Sequence, residues 1–176
     1  MSDTNRAPTI ETYRFADDGI VPNNPALPLV VYRGALPAAG DRASACERMF
    51  AQHGWPDSWR NGIYAHHHYH SAAHEVLGIA RGSARVRLGG EAGQTVELNA
   101  GDVVVIPAGI AHKREAASSD LLVIGAYPRG QHPDICRAEA AAHDRALPAI
   151  AAVPLPEADP VTGRSDPLIE CWREAP

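Results

Sequence analysis

Between Gly62 and Tyr127 the chain is cut into short β-type runs by glycines, and no other feature limits its possible folds as strongly. The runs are Gly62 to Tyr69, Val76 to Ile79, Ser83 to Leu88, Gln94 to Leu98, Val103 to Ile106, Ala111 to Glu115 and Leu121 to Tyr127. None reaches the length of a crossover helix, so this spacing predicts an antiparallel sandwich or small barrel and excludes an α/β fold. The pair around Gly89-Gly90 shows strand periodicity directly. Val86 and Leu88 share a face with Val96 and Leu98, while Arg85, Arg87, Thr95 and Glu97 take the opposite one. One face is core and the other meets water.

The flanks read differently. Arg14 to Arg33 holds the turn formers Asp17-Asp18-Gly19 and Pro22-Asn23-Asn24-Pro25 and ends in Leu29-Val30-Val31-Tyr32, an arm feeding one strand. Asp41 is placed to cap a short amphipathic helix carrying Cys46, Met49, Phe50 and His53, which Gly54 and Pro56 stop. Asp134 to Leu147 is alanine-rich, begins with a capping residue and meets Pro148, predicting a second helix. Pro148 to Pro176 carries six of the fifteen prolines and is expected to lie extended over the domain, pinned by Leu168 and Trp172. With 176 residues, the whole chain (1–176) is expected to be one domain: arm, strand and helix over 14–60, barrel over 62–127, helix and tail over 128–176.

Composition narrows the function. Forty-five per cent hydrophobic residues support a core, and a net charge of −5 without a basic run argues against nucleic-acid and anionic-membrane partners. The longest apolar stretch, Val103 to Ala111, is well short of the roughly 18 residues that cross a bilayer. The polar start, Met1 to Ile10, has no signal-peptide character, so a cytoplasmic protein is expected. Cys46, Cys136 and Cys171 are odd in number and scattered, which predicts reduced thiols. Histidine is the unusual component, since His66, His67, His68, His70 and His74 fall within nine residues.

On a strand, Tyr64, His66, His68 and His70 would line one face. Two imidazoles at i and i+2 converge on one ion; Glu75 follows after a turn, and His112 can meet them if the barrel closes. His67 and Tyr69 point the other way, toward packing or a dimer contact. Arg114 shares a face with His112 and suits a carboxylate or phosphate on a substrate, though a surface arginine beside Lys113 has the same pattern. Tyr127 is a pocket donor or a core residue on similar grounds. His74-Glu75 begins like a zincin motif but fails at Gly78, and Cys136 near His132 sits on an expected helix start outside the barrel. There is no Walker loop, Rossmann fingerprint or helix-turn-helix pattern.

Gly62, His68, His70, Glu75 and Gly82 reproduce G-x5-H-x-H-x4-E-x6-G, and Gly101, Pro107, Gly109 and His112 reproduce G-x5-P-x-G-x2-H. With these two motifs the chain resembles the cupin superfamily, and over its length it is similar to single-domain bacterial cupins of uncharacterised function. Ala116 departs from the second motif, which usually ends in Asn at this non-ligand position. The resemblance implies a double-stranded β-helix, or jelly-roll barrel, mainly β with two short peripheral helices, and a homodimer. It also implies one divalent transition metal (Fe, Mn, Ni, Co, Cu or Zn) on His68, His70, Glu75 and His112; His74, beside Glu75 in a turn, is the alternative ligand that the sequence itself offers. The expected activity is metal-dependent chemistry of dioxygenase, isomerase or lyase type on a small polar molecule, with Tyr64, His66 and Arg114 orienting it. A non-enzymatic small-molecule binding or sensing protein, and a metal-handling protein using the histidine run, are the rival expectations.

Overall fold

The computed structural model describes residues 6–175. Eleven strands and three helices follow one another as β1 (Thr9–Tyr13), β2 (Leu29–Arg33), α1 (Arg42–Gln52), β3 (Trp59–Asn61), β4 (His68–Tyr69), β5 (Glu75–Arg81), β6 (Ser83–Leu88), β7 (Gln94–Asn99), β8 (Val103–Ile106), β9 (His112–Ala117), β10 (Leu122–Ala126), β11 (Cys136–Arg137), α2 (Ala140–Ala152) and α3 (Leu168–Arg173). They form two antiparallel sheets, one ordered β1-β2-β8-β5-β10-β3 and the other β11-β4-β9-β6-β7. This is the expected jelly-roll barrel.

The strand alternation explains where the core sits. Leu77 and Ile79 of β5, Val104 and Ile106 of β8 and Val123 of β10 face inward, where they meet Val86, Leu88, Val96 and Leu98 from the second sheet. The intervening residues of the six-stranded sheet, among them Val76, Ala80, Val103, Val105 and Ile124, face outward yet are equally buried, because α1, Trp55 and α3 cover them. A sheet covered on both sides reads as unbroken apolar runs, as in Val103–Ile106. The second sheet is wet on its outside, so β6 and β7 alternate, with Val86 paired to Val96 and Arg85 to Glu97. Helix α1 lies so close on β5 that a Cβ at Gly78 would fall 2.4 Å from Cys46 Sγ. Only glycine permits that approach.

Asp41 caps α1 as expected, its carboxylate accepting the Ser44 N–H at 3.1 Å. Four expectations need correction. Of the expected strand Gly62–Tyr69 only β4 (His68–Tyr69) is strand, residues 62–67 being irregular, and a further short strand, β3, precedes it. Strand β1 lies ahead of the expected arm and pairs with β2, a polar edge with little apolar signal. The second helix starts at Ala140, not Asp134, and runs through Pro148. Asp134 is spent elsewhere, its carboxylate accepting the N–H groups of Ser71 and Ala72, and Cys136 therefore lies on β11 and not at a helix start. The tail is not simply extended: it winds into α3, which buries Leu168 and Trp172 as anchors. All three cysteines are unpaired thiols. Among the described residues no helix is long and apolar enough to cross a membrane.

Candidate metal centre

The site lies between the two sheets. His68 on β4 is the direct antiparallel partner of His112 on β9, which brings their ring centroids to 4.1 Å. His70 follows two residues after His68, with ring centroids 5.6 Å apart. Glu75 opens β5 in the opposite sheet and points inward by the same alternation that sends Leu77 and Ile79 to the core. One ring nitrogen from each of His68, His70 and His112 lies within 4.8 Å of the other two. Glu75 falls outside that compact trio, but its Oε2 stands 3.2 Å from both His70 Nε2 and His112 Nε2.

The second nitrogen of each ring fixes the tautomer. Nδ1 of His68 reaches the His66 carbonyl at 3.3 Å and Nδ1 of His112 the Ile110 carbonyl at 3.1 Å, while Nδ1 of His70 reaches the Asp134 carbonyl. A carbonyl can only accept, so all three Nδ1 atoms carry hydrogen and the three Nε2 atoms are left to face the cluster. His70 Nε2 and Glu75 Oε2 are buried without an aligned hydrogen bond despite their 3.2 Å separation. Imidazole nitrogens and a carboxylate oxygen, buried and gathered this closely, are the donor types a divalent transition metal takes. The residues present therefore fit a divalent cation.

Electrostatics point the same way. Burial lowers His68 to about 3, helped by neighbouring His112. Burial also opposes charging His70, but the Glu75 carboxylate outweighs it and raises His70 to about 9. Glu75 is likewise penalised by burial, yet His70 and His112 hold it below the usual carboxylate range. The pocket thus favours positive charge beside Glu75.

Around this cluster is an open cavity of about 420 Å³. Tyr64, Arg114 and Tyr127 line it with the four candidate ligands. His66 does not. Its ring keeps to the expected side, stacked on Tyr64 at 5.1 Å and 6.0 Å from that of His68, without lining the cavity itself. His67 Nε2 lies 2.6 Å from Glu91 Oε1, and Tyr69 is fully buried. His74 is no substitute ligand: its Nδ1 accepts the Ala108 N–H at 2.9 Å and its ring packs 4.8 Å from Trp172. Burial lowers it to about 4. Among the described residues the histidine run forms no second group of three possible metal ligands.

Sequence reasoning missed Trp59, Ile63, Leu77 and Ile135 as cavity walls. It also missed a hydrogen-bonded chain behind Glu75, in which Trp59 Nε1 donates to Tyr127 Oη at 3.0 Å and Tyr127 donates to Glu75 Oε1 at 3.4 Å. The one available signal was Gly125, where a Cβ would stand 2.0 Å from the Trp59 ring. A glycine inside a strand marks such a close approach.

Residues 60–124 match the Cupin domain family. The Bacillus subtilis (strain 168) protein YjlB, described as uncharacterised, is 43% identical over 162 residues, spanning 92% of this chain and 96% of its own. Among solved structures, acireductone dioxygenase from Bacillus anthracis, with a cadmium ion in its active centre, is 15% identical and matches over 71% of this chain and 82% of that one, with a TM-score of 0.40. Procruciferin, an 11S globulin from Brassica napus, is 16% identical over 74% of this chain and 27% of that one, with a TM-score of 0.37.

Proposed function

The chain belongs to the cupin superfamily, and from that premise we propose that it is a metal-dependent enzyme acting on a small polar molecule, with one divalent transition metal on His68, His70, Glu75 and His112. The observation that carries this reading is the set of three Nδ1–H···O=C contacts, which leaves three Nε2 atoms and a buried carboxylate oxygen facing each other beside an open cavity. Three imidazoles and one carboxylate suit any ion from Mn to Zn. Bound there, the ion supplies Lewis-acid chemistry or a binding position for dioxygen.

The chain's own residues do the rest. The three backbone carbonyls hold the imidazoles in register, and Tyr127, backed by Trp59, fixes the rotation of the Glu75 carboxylate. Ile63 and Leu77, both buried, keep the inner wall dry, which strengthens each polar contact within. Tyr64 and Arg114 stand at the cavity to orient the substrate.

Elemental mass spectrometry of tag-free protein, purified without chelator, tests the reading against a His68→Ala/His112→Ala double variant. A near-stoichiometric ion that disappears in the variant is the expected result, and its identity selects the substrate screen, with iron directing it first to oxygen chemistry. No bound metal and no uptake on reconstitution would overturn the proposal.

A further inference from the structure

The cavity is electrostatically one-sided. Glu75 is the one carboxylate among the described residues that line it, and it is turned onto the histidines. Two arginines also line it. Arg60 is already committed, giving Nε to Glu47 Oε1 at 2.8 Å and Nη2 to Glu47 Oε2 at 3.0 Å. The guanidinium of Arg114 has no hydrogen-bond or ion-pair partner among the described residues, although it is half-buried. Its direction is set by register: His112 pairs with Leu88 and Arg114 with Val86, and both partners face the core. The backbone at Arg114 is held as well, its N–H donating to the Tyr64 carbonyl at 2.8 Å. A half-buried guanidinium without a counter-charge, fixed beside a ligand cavity, is a vacant planar fork for an oxyanion.

The remaining wall is apolar. Trp59, Ile63 and Leu77 form its inner part, and Ile135, a large side chain 59% exposed, stands at the rim with Tyr64, 50% exposed. No helix start and no glycine-rich loop of the phosphate-binding kind lines the cavity. One free fork without such a cradle favours a carboxylate over a phosphate.

Resting on the reading of the cluster as a metal site, we propose that the substrate is a small monocarboxylate with an apolar body, its carboxylate bound by Arg114 and its body lying against Trp59, Ile63, Leu77 and Ile135. Arg114 stands two positions along β9 from His112, a rise of about 7 Å. A carboxylate on Arg114 therefore leaves the adjoining carbons within reach of the imidazole cluster.

The test is isothermal titration of full-length protein, loaded with Zn²⁺ and assayed for zinc content, with phenylacetate, phenylacetamide and acetate. Phenylacetate should bind roughly tenfold or more tighter than the neutral amide, the difference expected for one charge-assisted contact, and also tighter than acetate. Arg114→Gln should keep its zinc and bring acid and amide to similar affinity, and Arg114→Lys should restore part of the preference. Chelator-stripped wild-type protein should retain a preference for the acid. A preference for the acid that survives in Arg114→Gln overturns the proposal, as does equal binding of acid and amide, or no binding of any probe, by zinc-loaded wild type. Failure of wild type to take up zinc is a separate result and counts against the metal reading alone.

Discussion

At the scale of single residues, the site divides into a part written in local spacing and a part written in tertiary pairing. His68 and His70 were legible because they sit at i and i+2 ahead of Glu75, and His112 because glycine and proline punctuate the run before it. The chain from Trp59 through Tyr127 to Glu75 was not, because Trp59 meets Tyr127 only when β3 pairs with β10, sixty-odd residues away. The period-2 rule brought His66 to the side of Tyr64 and His68, but with no continuous strand there its ring falls short of the cavity lining. The hidden chain has a measurable role. Tyr127→Phe removes the hydroxyl that donates to Glu75 Oε1 and leaves the ring in place. Losing a partner of this kind typically weakens metal binding by about 10- to 100-fold. Competition against a chelator of known affinity should show that loss with an unchanged far-UV spectrum, and an unchanged affinity would deny the hydroxyl any part in holding the carboxylate.

At the scale of elements, legibility follows solvent exposure. Strands β6 and β7 announce themselves because one face is wet, and β5 and β8 as apolar runs because both faces are covered. Strand β1 is an edge whose residues are mostly exposed, so it has no such pattern to offer. The start of α2 was misplaced because a capping residue is recognised by type, while Asp134 serves the turn after His70 instead. Once formed, α2 is tied to the arm through His143, whose Nε2 meets both oxygens of Asp17 at 2.8 and 2.9 Å, while Nδ1 meets Asp144 at 2.8 Å. These carboxylates, Asp144 first and Asp17 next, raise the His143 pKa. Burial pushes Asp17 up, but the Gly19 N–H and His143 outweigh it and leave Asp17 lowered. The signs are opposite. His143 contributes stability that is complete below its unfolded value of about 6.5 and is lost as pH rises through the higher folded value. Asp17 contributes above its unfolded value of about 3.9, and that contribution is lost as pH falls through the lower folded one. Wild type should therefore exceed His143→Gln in melting temperature most clearly between about pH 4 and 6.5. The gap should narrow as the solution becomes alkaline. A gap independent of pH in thermal unfolding would mean that His143 acts by packing alone.

At the scale of the whole molecule, the tail holds the back of the sheet that carries Glu75. Asp159, fully buried, accepts the Tyr32 hydroxyl at 2.5 Å and the N–H groups of Val161, Thr162 and Leu168. Trp55 donates to the Ala158 carbonyl at 2.9 Å and Trp172 to the Pro28 carbonyl at 2.8 Å. Leu168, Ile169 and Trp172 thereby complete the outer core layer over β2, β5 and β8. The same Trp172 packs on His74, the residue immediately before Glu75, so the tail connects to the candidate metal centre through one peptide unit. Burying each of the three side chains contributes about 1.5–3 kcal/mol. Their sum is comparable to the roughly 5–15 kcal/mol that keeps a domain folded. Deleting residues 157–176 should therefore abolish a cooperative urea transition at 37 °C. The milder Trp172→Ala should cost about 3–5 kcal/mol and still fold at low temperature. In that variant the looser support behind β5 should also weaken metal retention, read by chelator competition at a temperature where the fold is intact. If metal retention is untouched while stability falls, the tail is a cover for the sheet only. If neither changes, the α3 contacts contribute nothing and the outer layer is closed by α1 and Trp55 alone.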